Sequence, residues 1–468
     1  MKTTLDRYFH ISERGSSIGT EVRAGVVSFF AMAYIILLNP LILGTSPDAE
    51  GRVLGIPQVA AATALIAGIM TIAFGAIARY PFAMAAGLGM NTFVAVTMVA
   101  TNGLTWPEAM GLVVIEGLII VALAITGFRT AVFHAIPRSM KAAMGVGIGM
   151  FLAIIGFVDG GFVTRVPDAA MTTVPVGLGI NGSIATWPAL IFVLGLLICA
   201  FCVIRNIPGG MFLGIVVTTI IAIIVQAFTG SEDWGMATPG SPDSLGGIPD
   251  LSIVGDVSLL GAFTKLGVVA TVLLIFTLLL TNFFDAMGTM TGLGKQANLV
   301  DEDGVLPDMK KALVVEGFGA VAGGLGSVSS NTVFADSSAG VGDGARTGLA
   351  NITTGVLFLL AMFLTPLYEI VPIEAAAPVL VIVGVMMASQ ITEIDWTKLE
   401  VAIPAFLTIV VMPFTYSIAN GIGVGFIAFA LCAAFSGKGK EVHWLMWVIA
   451  GLFVVYFGMD PITAALGG

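Results

Sequence analysis

Charged residues are scarce in this sequence, and their scarcity excludes a water-soluble protein. Asp, Glu, Lys and Arg make up 10% of the 468 residues, whereas about a quarter of the residues in a soluble domain are charged. Hydrophobic residues make up 57% of the chain, and the mean hydropathy is +1.03. Because so few charges cannot form a water-facing surface, the sequence predicts an integral membrane protein.

Basic charge, histidine and cysteine are also in short supply. The formal net charge of -10 argues against nucleic-acid binding, which needs a basic surface. The three histidines, His10, His134 and His443, lie near the ends of apolar runs, so we expect neither an enzyme nor a metal or organic cofactor. Cys199 and Cys202 have C-x-x-C spacing, but inside an apolar run they are expected to be small hydrophobic residues rather than a redox or metal pair.

Long apolar runs are abundant instead. Many approach the roughly 20 residues that a helix needs to cross a bilayer, which also excludes a membrane barrel of alternating strands. A polar stretch at 229–263 divides the runs into two groups of seven. The first group is 24–43, 59–78, 83–100, 109–127, 142–158, 187–204 and 211–228, and the second is 266–287, 312–324, 325–338, 349–367, 375–389, 401–416 and 421–434. A last run, Trp444–Phe457, is either a further span or an interfacial helix.

The distribution of Lys and Arg predicts the orientation of these spans. If the N-terminus is cytoplasmic, 16 of the 19 basic residues lie on that side, and only Arg52, Arg165 and Lys265 lie on the other. Positively charged loops stay in the cytoplasm, so we expect a multi-pass cell-membrane protein, in contact with lipid, whose N-terminus is cytoplasmic. The predicted segments are a cytoplasmic 1–23, a first repeat 24–229, an extracytoplasmic connection 230–263, a second repeat 264–436 and an apolar C-terminal segment 437–468.

Seven spans in each half place the two halves in opposite orientations, as in secondary transporters built from inverted repeats. The third span of each half, at 84–91 and 326–336, is poor in bulky residues and rich in Gly, Ala or Ser. Interrupted spans of this kind direct half-helix N-termini towards a binding site near the bilayer midplane. The alternative is that these segments are small-residue packing faces between helices.

A few carboxyl groups lie within or beside the predicted spans, where an ionisable group is costly and is expected to have a function. Asp285 follows a long apolar stretch, and the alternative for it is an interfacial position. Asp336 lies where the second interrupted segment turns into helix, which suits both an N-cap and a ligand site, and Asn91 has the matching place in the first half. Glu116 lies in the middle of the fourth span and is a protonated buried carboxyl, a structural hydrogen-bonding group or part of a proton path. Since no Lys or Arg is found in mid-span, we expect Asp285 and Asp336 to bind and release protons.

Four motifs occur in order along the chain. They are residues 21–40, Gly87-Leu-Gly-Met-Asn91, Phe284-Asp-Ala-Met-Gly-Thr289 and the Gly-rich run 338–348. Together they resemble the AzgA-like permeases, which transport adenine, guanine and hypoxanthine and are related to the nucleobase/ascorbate symporters. The resemblance extends over nearly the whole chain, from Glu21 to about Ala434.

The resemblance implies a 14-span fold with a core domain of spans 1–4 and 8–11 and a gate domain of spans 5–7 and 12–14. It also implies import of purine bases with protons by an elevator-like movement of core against gate, and two chains pairing through their gate domains are a further expectation. The family's substrate site lies between spans 3, 8 and 10, which assigns substrate binding here to Gly89, Asn91, Asp285 and Asp336. Asp285 and Asp336, together with Glu116, are the predicted proton-coupling residues.

One departure from the family pattern concerns the last of these positions. The family usually has Glu in a Tyr-Ile-Glu-Ser-Ala-Ala-Gly context, where this chain has Phe334-Ala-Asp-Ser-Ser-Ala-Gly340. The carboxylate is therefore shorter by one methylene, which bears on the choice of purine more than on the class of substrate.

The chemistry of these residues suits a purine, which is planar and neutral and has hydrogen-bond donors and acceptors around its edge. Phe93 or Phe334 could stack on its face, although packing and lipid contact are the commoner roles of Phe in an apolar chain. The alternative function is transport of an anion such as sulfate, bicarbonate or a dicarboxylate. It is disfavoured because the expected site has two acidic residues and no Lys or Arg. A receptor or structural role would leave Asp285 and Asp336 unexplained.

Overall fold

Apolar helices dominate the structure, a computed structural model that describes residues 4–126, 136–165, 176–180, 182–230, 246–300, 306–307, 309–367 and 370–458. In these ranges, nine helices are long and apolar enough to cross a membrane, and four shorter apolar helices accompany them. The prediction of an all-α polytopic membrane protein is therefore confirmed.

The first half of the chain contains nine helices in the described ranges. Ser17 caps the second helix, since its hydroxyl accepts a hydrogen bond from the backbone N–H of Thr20. Two short strands, β2 (Val163–Arg165) and β3 (Val176–Leu178), pair antiparallel between the seventh and eighth helices. The helices are α1 (Thr4–Phe9), α2 (Ile18–Met32), α3 (Ile35–Leu43), α4 (Ile56–Ile77), α5 (Leu88–Thr92), α6 (Trp106–Thr126), α7 (Arg138–Asp159), α8 (Trp187–Ile204) and α9 (Gly210–Thr229).

The second half begins with the longest helix, which extends beyond its predicted span of 266–287 at both ends. It bends at Gly267, whose φ of 78° is readily adopted only by glycine. The helices are α10 (Gly261–Gln296), α11 (Met309–Leu325), α12 (Ser338–Gly342), α13 (Gly348–Ala361), α14 (Ile373–Ala388), α15 (Leu399–Phe414), α16 (Ile418–Phe435) and α17 (Trp444–Phe457). The final apolar run is thus helical, and it packs on α16 and α10.

The third span of each half is interrupted, as expected. Strand β1 (Met84–Ala86) pairs antiparallel with β4 (Asn331–Val333), so that Met84 lies opposite Val333. All six strand residues are buried. An unpaired strand would leave backbone polar groups without hydrogen bonds in an apolar interior, so each strand supplies the hydrogen-bond partners of the other. Helix α5 follows β1 and continues as a π-helical segment (Phe93–Thr101), while a 3-10 turn (Ala335–Ser337) and α12 follow β4.

Glycines allow pairs of helices to cross at close range. A Cβ atom on Gly348 of α13 would lie 1.9 Å from the carbonyl oxygen of Gly75 on α4, and one on Gly355 would lie 2.6 Å from that of Gly68. The crossing of α7 with α14 is similarly close at Gly384. Backbones of neighbouring membrane helices pack tightly where such small residues face each other.

The helices pack in two groups. In the first bundle (α2–α6 with α10–α13), α4 packs on α13 and α6 packs on α11. In the second bundle (α7–α9 with α14–α16), α7 packs on α15 and α8 packs on α14. In the first bundle, the second span of each half packs on the fourth span of the other half. In the second bundle, the fifth span of each half packs on the sixth span of the other half. This exchange of partners is the pattern of two repeats related by a twofold axis.

Candidate functional site

A cavity of about 870 Å³ lies between the two bundles. Its volume is within the range of about 300–1,000 Å³ that is typical of ligand pockets. The first bundle contributes the start of α5, the C-terminal half of α10 and the segment after β4, so both interrupted spans reach the cavity. The second bundle contributes mainly α7, α14 and the 3-10 turn after α14 (Ser389–Glu393), through Arg138, Lys141, Met144, Ile148, Val383, Met386, Met387, Gln390 and Glu393.

Asp285 lies on the cavity wall formed by α10. The helix continues beyond it to Gln296, so Asp285 is well inside the helix rather than at its end. Its side chain is open to the cavity, and Thr281, one turn earlier, lies on the same wall. A carboxyl group is therefore presented to the cavity from within a long apolar helix.

Asp336 lies in the 3-10 turn between β4 and α12. The hydroxyl of Tyr34 donates a hydrogen bond of 3.0 Å to Asp336 Oδ2. Tyr34 is 1% exposed and lines the cavity, and the centroid of its ring lies 6.3 Å from that of Phe334. Ser337 Oγ accepts a hydrogen bond from the backbone N–H of Ala83, which fixes the turn against the chain entering β1.

The first turn of α5 faces the same cavity. Gly87, Leu88, Gly89 and Met90 all line it. The first backbone N–H groups of a helix have no partner within the helix, and together with the helix dipole they favour acceptor atoms of a ligand. A Cβ atom on Gly89 would lie 2.9 Å from Cγ2 of Ile148 on α7, so the two bundles approach closely at this glycine.

The structure separates the predicted site residues into two groups. Gly89, Phe334, Asp285 and Asp336 line the cavity. The other three residues, Asn91, Phe93 and Glu116, are 0% exposed and lie behind its wall. Among the described atoms, neither side-chain polar atom of Asn91 has a hydrogen-bond partner.

Tyr34 and three basic residues were not among the predicted site residues. Arg138, Lys141 and Lys295 line the cavity, although the site was expected to have no Lys or Arg. Lys295 follows Asp285 by ten residues, which corresponds to about 15 Å along a helix, so it lies towards the end of the cavity rather than beside the carboxyl groups. Tyr34 belongs to the motif at 21–40, but an apolar run gives no sign that one hydroxyl faces a carboxylate 302 residues away.

The sequence matches a family described as "Permease family" (Xan_ur_permease) over residues 19–424. It is 36% identical over 456 residues to the guanine/hypoxanthine permease PbuG of Bacillus subtilis, which covers 97% of this chain and 99% of that protein. It is 33% identical over 452 residues to the adenine permease AdeQ of Escherichia coli, covering 97% of this chain and 96% of that protein. The expected membership among adenine, guanine and hypoxanthine permeases is therefore confirmed.

Among solved structures, the fold is similar to that of the transmembrane domain of a cyanobacterial bicarbonate transporter, BicA. The TM-score is 0.59 at 17% identity, and the match covers 88% of this chain and 97% of that one. At that identity the similarity concerns the fold alone. The family match over residues 19–424 and the full-length relatives show that the chain belongs to the permease family, as a multi-pass membrane transport protein and not an enzyme.

Proposed function

We propose that this protein imports purine nucleobases together with protons. The observation that carries the proposal is that Asp285, Asp336 and the first turn of α5 line one cavity. The full-length relatives are a guanine/hypoxanthine permease and an adenine permease, which supports the same class of substrate.

The proposed binding mode uses groups that line the cavity. The carboxylates of Asp285 and Asp336 accept hydrogen bonds from purine N–H groups, and the backbone N–H groups near Gly89 donate to ring nitrogens or to an exocyclic oxygen. Phe334 offers an aromatic face for stacking. We assign Asn91 and Phe93 a supporting role, because they are buried behind the start of α5.

The proposed coupling ion is the proton. A neutral purine does not balance the charges of two carboxylates, so a carboxyl group that binds a proton together with the base lowers the cost of moving the loaded site. The hydrogen bond from Tyr34 stabilises the ionised form of Asp336. This leaves Asp285 as the substrate-facing carboxyl that we expect to take up the proton first.

The proposed movement is a displacement of the first bundle, as core, against the second bundle, as gate. The substrate-facing carboxylates are both on the core, while α7 and α14 of the gate form the opposite wall of the cavity. A relative shift would therefore expose the same site to either side of the membrane. In this arrangement the N-terminus is cytoplasmic, and pairing of two chains through the gate remains a prediction.

Transport of a small anion is the alternative, and the basic lining residues favour it. Arg138, Lys141 and Lys295 would attract an anion to the cavity. Asp336, on one interrupted span, and Asp285, on α10, would repel it from the part of the cavity where the backbone donors of α5 lie. We therefore rank purine transport first.

Uptake by cells that lack their own purine permeases tests the proposal. Cells expressing the chain should accumulate labelled adenine, guanine or hypoxanthine, and a protonophore should abolish the accumulation. Asp285→Asn and Asp336→Asn should each reduce uptake about tenfold or more, because a hydrogen bond to a charged group contributes about 1.5–3 kcal/mol. Asp395→Asn is the matched control, since Asp395 is exposed and does not line the cavity.

Three outcomes would count against parts of the proposal. Absence of uptake of all three bases, with uptake of labelled sulfate or bicarbonate, would favour the anion alternative. Normal purine uptake by both Asn variants would refute the site. Uptake that needs sodium and resists the protonophore would refute only the proposal that the proton is the coupling ion.

A further inference from the structure

Two buried glutamates lie behind the candidate site, where α6 crosses α11. Glu116 on α6 and Glu316 on α11 are both 0% exposed. Each is followed by a glycine, and a Cβ atom on Gly117 would lie 2.8 Å from the carbonyl oxygen of Gly317. Electrostatic repulsion from Glu316 acts on Glu116. The helix crossing therefore places two carboxyl groups of like charge in one apolar region.

Both glutamates meet hydroxyl groups of one chain segment. Ser330 Oγ, one residue before β4, lies 3.2 Å from Glu116 Oε2, and Thr332 Oγ1, within β4, lies 3.2 Å from Glu316 Oε1. Side chains two residues apart in an extended segment point to the same side. The two hydroxyls therefore form a short row that faces the two carboxyl groups.

Asn282 connects this cluster to α10. Its Nδ2 donates hydrogen bonds of 2.7 Å to Glu116 Oε1 and 2.8 Å to Ser330 Oγ. Asn282 is 0% exposed and precedes Asp285 by three residues, which is about one helical turn. Glu116 is thus linked to the helix that presents a carboxyl group to the cavity.

Hydroxyl partners suit both protonation states of a carboxyl group. A Ser or Thr hydroxyl donates to an ionised carboxylate, and after rotation of its O–H bond it accepts from a protonated one. An ammonium or guanidinium partner can only donate and would favour the ionised form. The cluster can therefore bind and release a proton while its side chains stay in place.

Within the described ranges, no Lys or Arg forms an ion pair with Glu116. Glu108, on the same helix, instead pairs with Lys265 at 3.5 Å. Helix α4 and strands β1 and β4 carry no ionisable side chain. The charged residues on the other elements packed around the two glutamates are Glu108 on α6, Lys265, Asp285 and Lys295 on α10, and Lys310 and Lys311 on α11. Burial and mutual repulsion both oppose ionisation of the two glutamates at once.

We propose that Glu116 and Glu316 form a second proton site, which holds one shared proton and releases and regains it during the transport cycle. The inference rests on the proposed proton-coupled transport and extends it to groups that do not touch the substrate. Along the chain, β4 leads from Thr332 to Asp336, and α10 leads from Asn282 to Asp285. A change of charge on the pair therefore acts on both segments that present carboxylates to the cavity.

Proteoliposomes with an imposed membrane potential test this second proton site. At about 100 mV, one proton moved with each purine supports an accumulation of about 50-fold. In Glu316→Gln and in Glu116→Gln this proton no longer moves, so the accumulation of purine should fall about 50-fold in each variant. Exchange of labelled for unlabelled purine across the membrane, which needs no net proton movement, should persist in both variants.

The exchange measurement separates coupling from a merely structural role. Loss of exchange together with accumulation, in a variant that purifies as a folded protein, would show that the glutamates only support the fold. Accumulation equal to that of the natural chain would also overturn the proposal. Glu374→Gln is the matched control, because Glu374 is 0% exposed but lies on α14 in the second bundle. If the natural chain itself does not accumulate purine, the proposed function fails rather than this inference.

A milder change keeps the question open to test if the Gln variants do not fold. Thr332→Val removes a hydroxyl that stabilises ionised Glu316, so the pair should hold its proton more tightly. The pH at which accumulation falls should then rise by about one unit. An unchanged pH profile would overturn the proposal. Glu316→Asp keeps a carboxyl group, so it should retain more of the coupling than Glu316→Gln.

Discussion

Tyr34 joins the start of α3 to the candidate site through one hydrogen bond. Its hydroxyl donates to Asp336 at 3.0 Å, and the ring is almost fully buried. Removing only the hydroxyl leaves the packing of the ring unchanged. The bond therefore holds the carboxylate of Asp336 in one orientation at the cavity wall.

Tyr34→Phe should weaken purine transport while the protein stays folded. Loss of a hydrogen bond to a charged group costs about 1.5 kcal/mol or more, so we expect kcat/KM for uptake to fall about tenfold. Initial rates over a range of purine concentrations would measure this. Tyr8→Phe is the control, because the hydroxyl of Tyr8 bonds the carbonyl of Ala76 at the exposed surface. Equal kinetics for both variants would show that the Tyr34 hydroxyl is irrelevant to the site.

Single residues differ in how well sequence identifies them. Asp285 and Asp336 could be recognised because a carboxyl group beside apolar residues is conspicuous. Tyr34 and Asn282 could not, because their roles depend on partners 302 and 166 residues away along the chain. A tyrosine or an amide in an apolar run is ordinary until the fold brings a carboxylate to it.

At the scale of elements, the crossing of α4 with α13 depends on glycine. Gly348→Ala would place a methyl group 1.9 Å from the carbonyl oxygen of Gly75, so the helices must separate. We expect a loss of about 1–3 kcal/mol, the usual cost of overpacking, seen as a lower unfolding temperature in detergent. Gly19→Ala is the control, since nothing lies within 4 Å of its added Cβ atom. Alanine in that helix should be neutral or stabilising, and equal stability of both variants would contradict the packing argument.

Elements also differ in how far sequence predicts them. Apolar runs of about 20 residues predict helices because a bilayer leaves few other conformations. Strand β1, Met84-Ala-Ala86, has residues that favour helix, and it is extended because β4 pairs with it from the other half of the chain. The sequence therefore indicated that these spans are interrupted, but it did not indicate a sheet between them.

At the scale of the whole molecule, movement of the first bundle against the second can be tested with a covalent link. A Cβ atom on Gly209, before α9, would lie 3.0 Å from the Cβ atom of Phe30 on α2. Disulfides join Cβ atoms at about 3.5–4.5 Å, so the two segments must move slightly apart, and the cysteine at position 209 must also accept or relax the φ of 70° that Gly209 adopts. Phe30→Cys with Gly209→Cys, in a chain whose natural cysteines are replaced by Ala, should lose uptake on oxidation and regain it on reduction. The natural cysteines are Cys199, Cys202 and Cys432.

The two single-cysteine variants provide the control for this link. Each should transport equally in oxidising and reducing conditions, because no second thiol is available. If the oxidised double variant forms its disulfide and still transports at the full rate, the bundles do not need to separate at this contact. The proposed movement would then be wrong.

The pairing of β1 with β4 has a consequence for selectivity. Hydrogen bonds between the strands hold the start of α5 and the turn that carries Asp336 at a constant spacing. A ligand is thus bound between two segments whose spacing is fixed, rather than by two segments that move independently. Since this spacing stays the same whichever side of the membrane the site faces, we expect the ranking of substrates to be the same for entry and for exit.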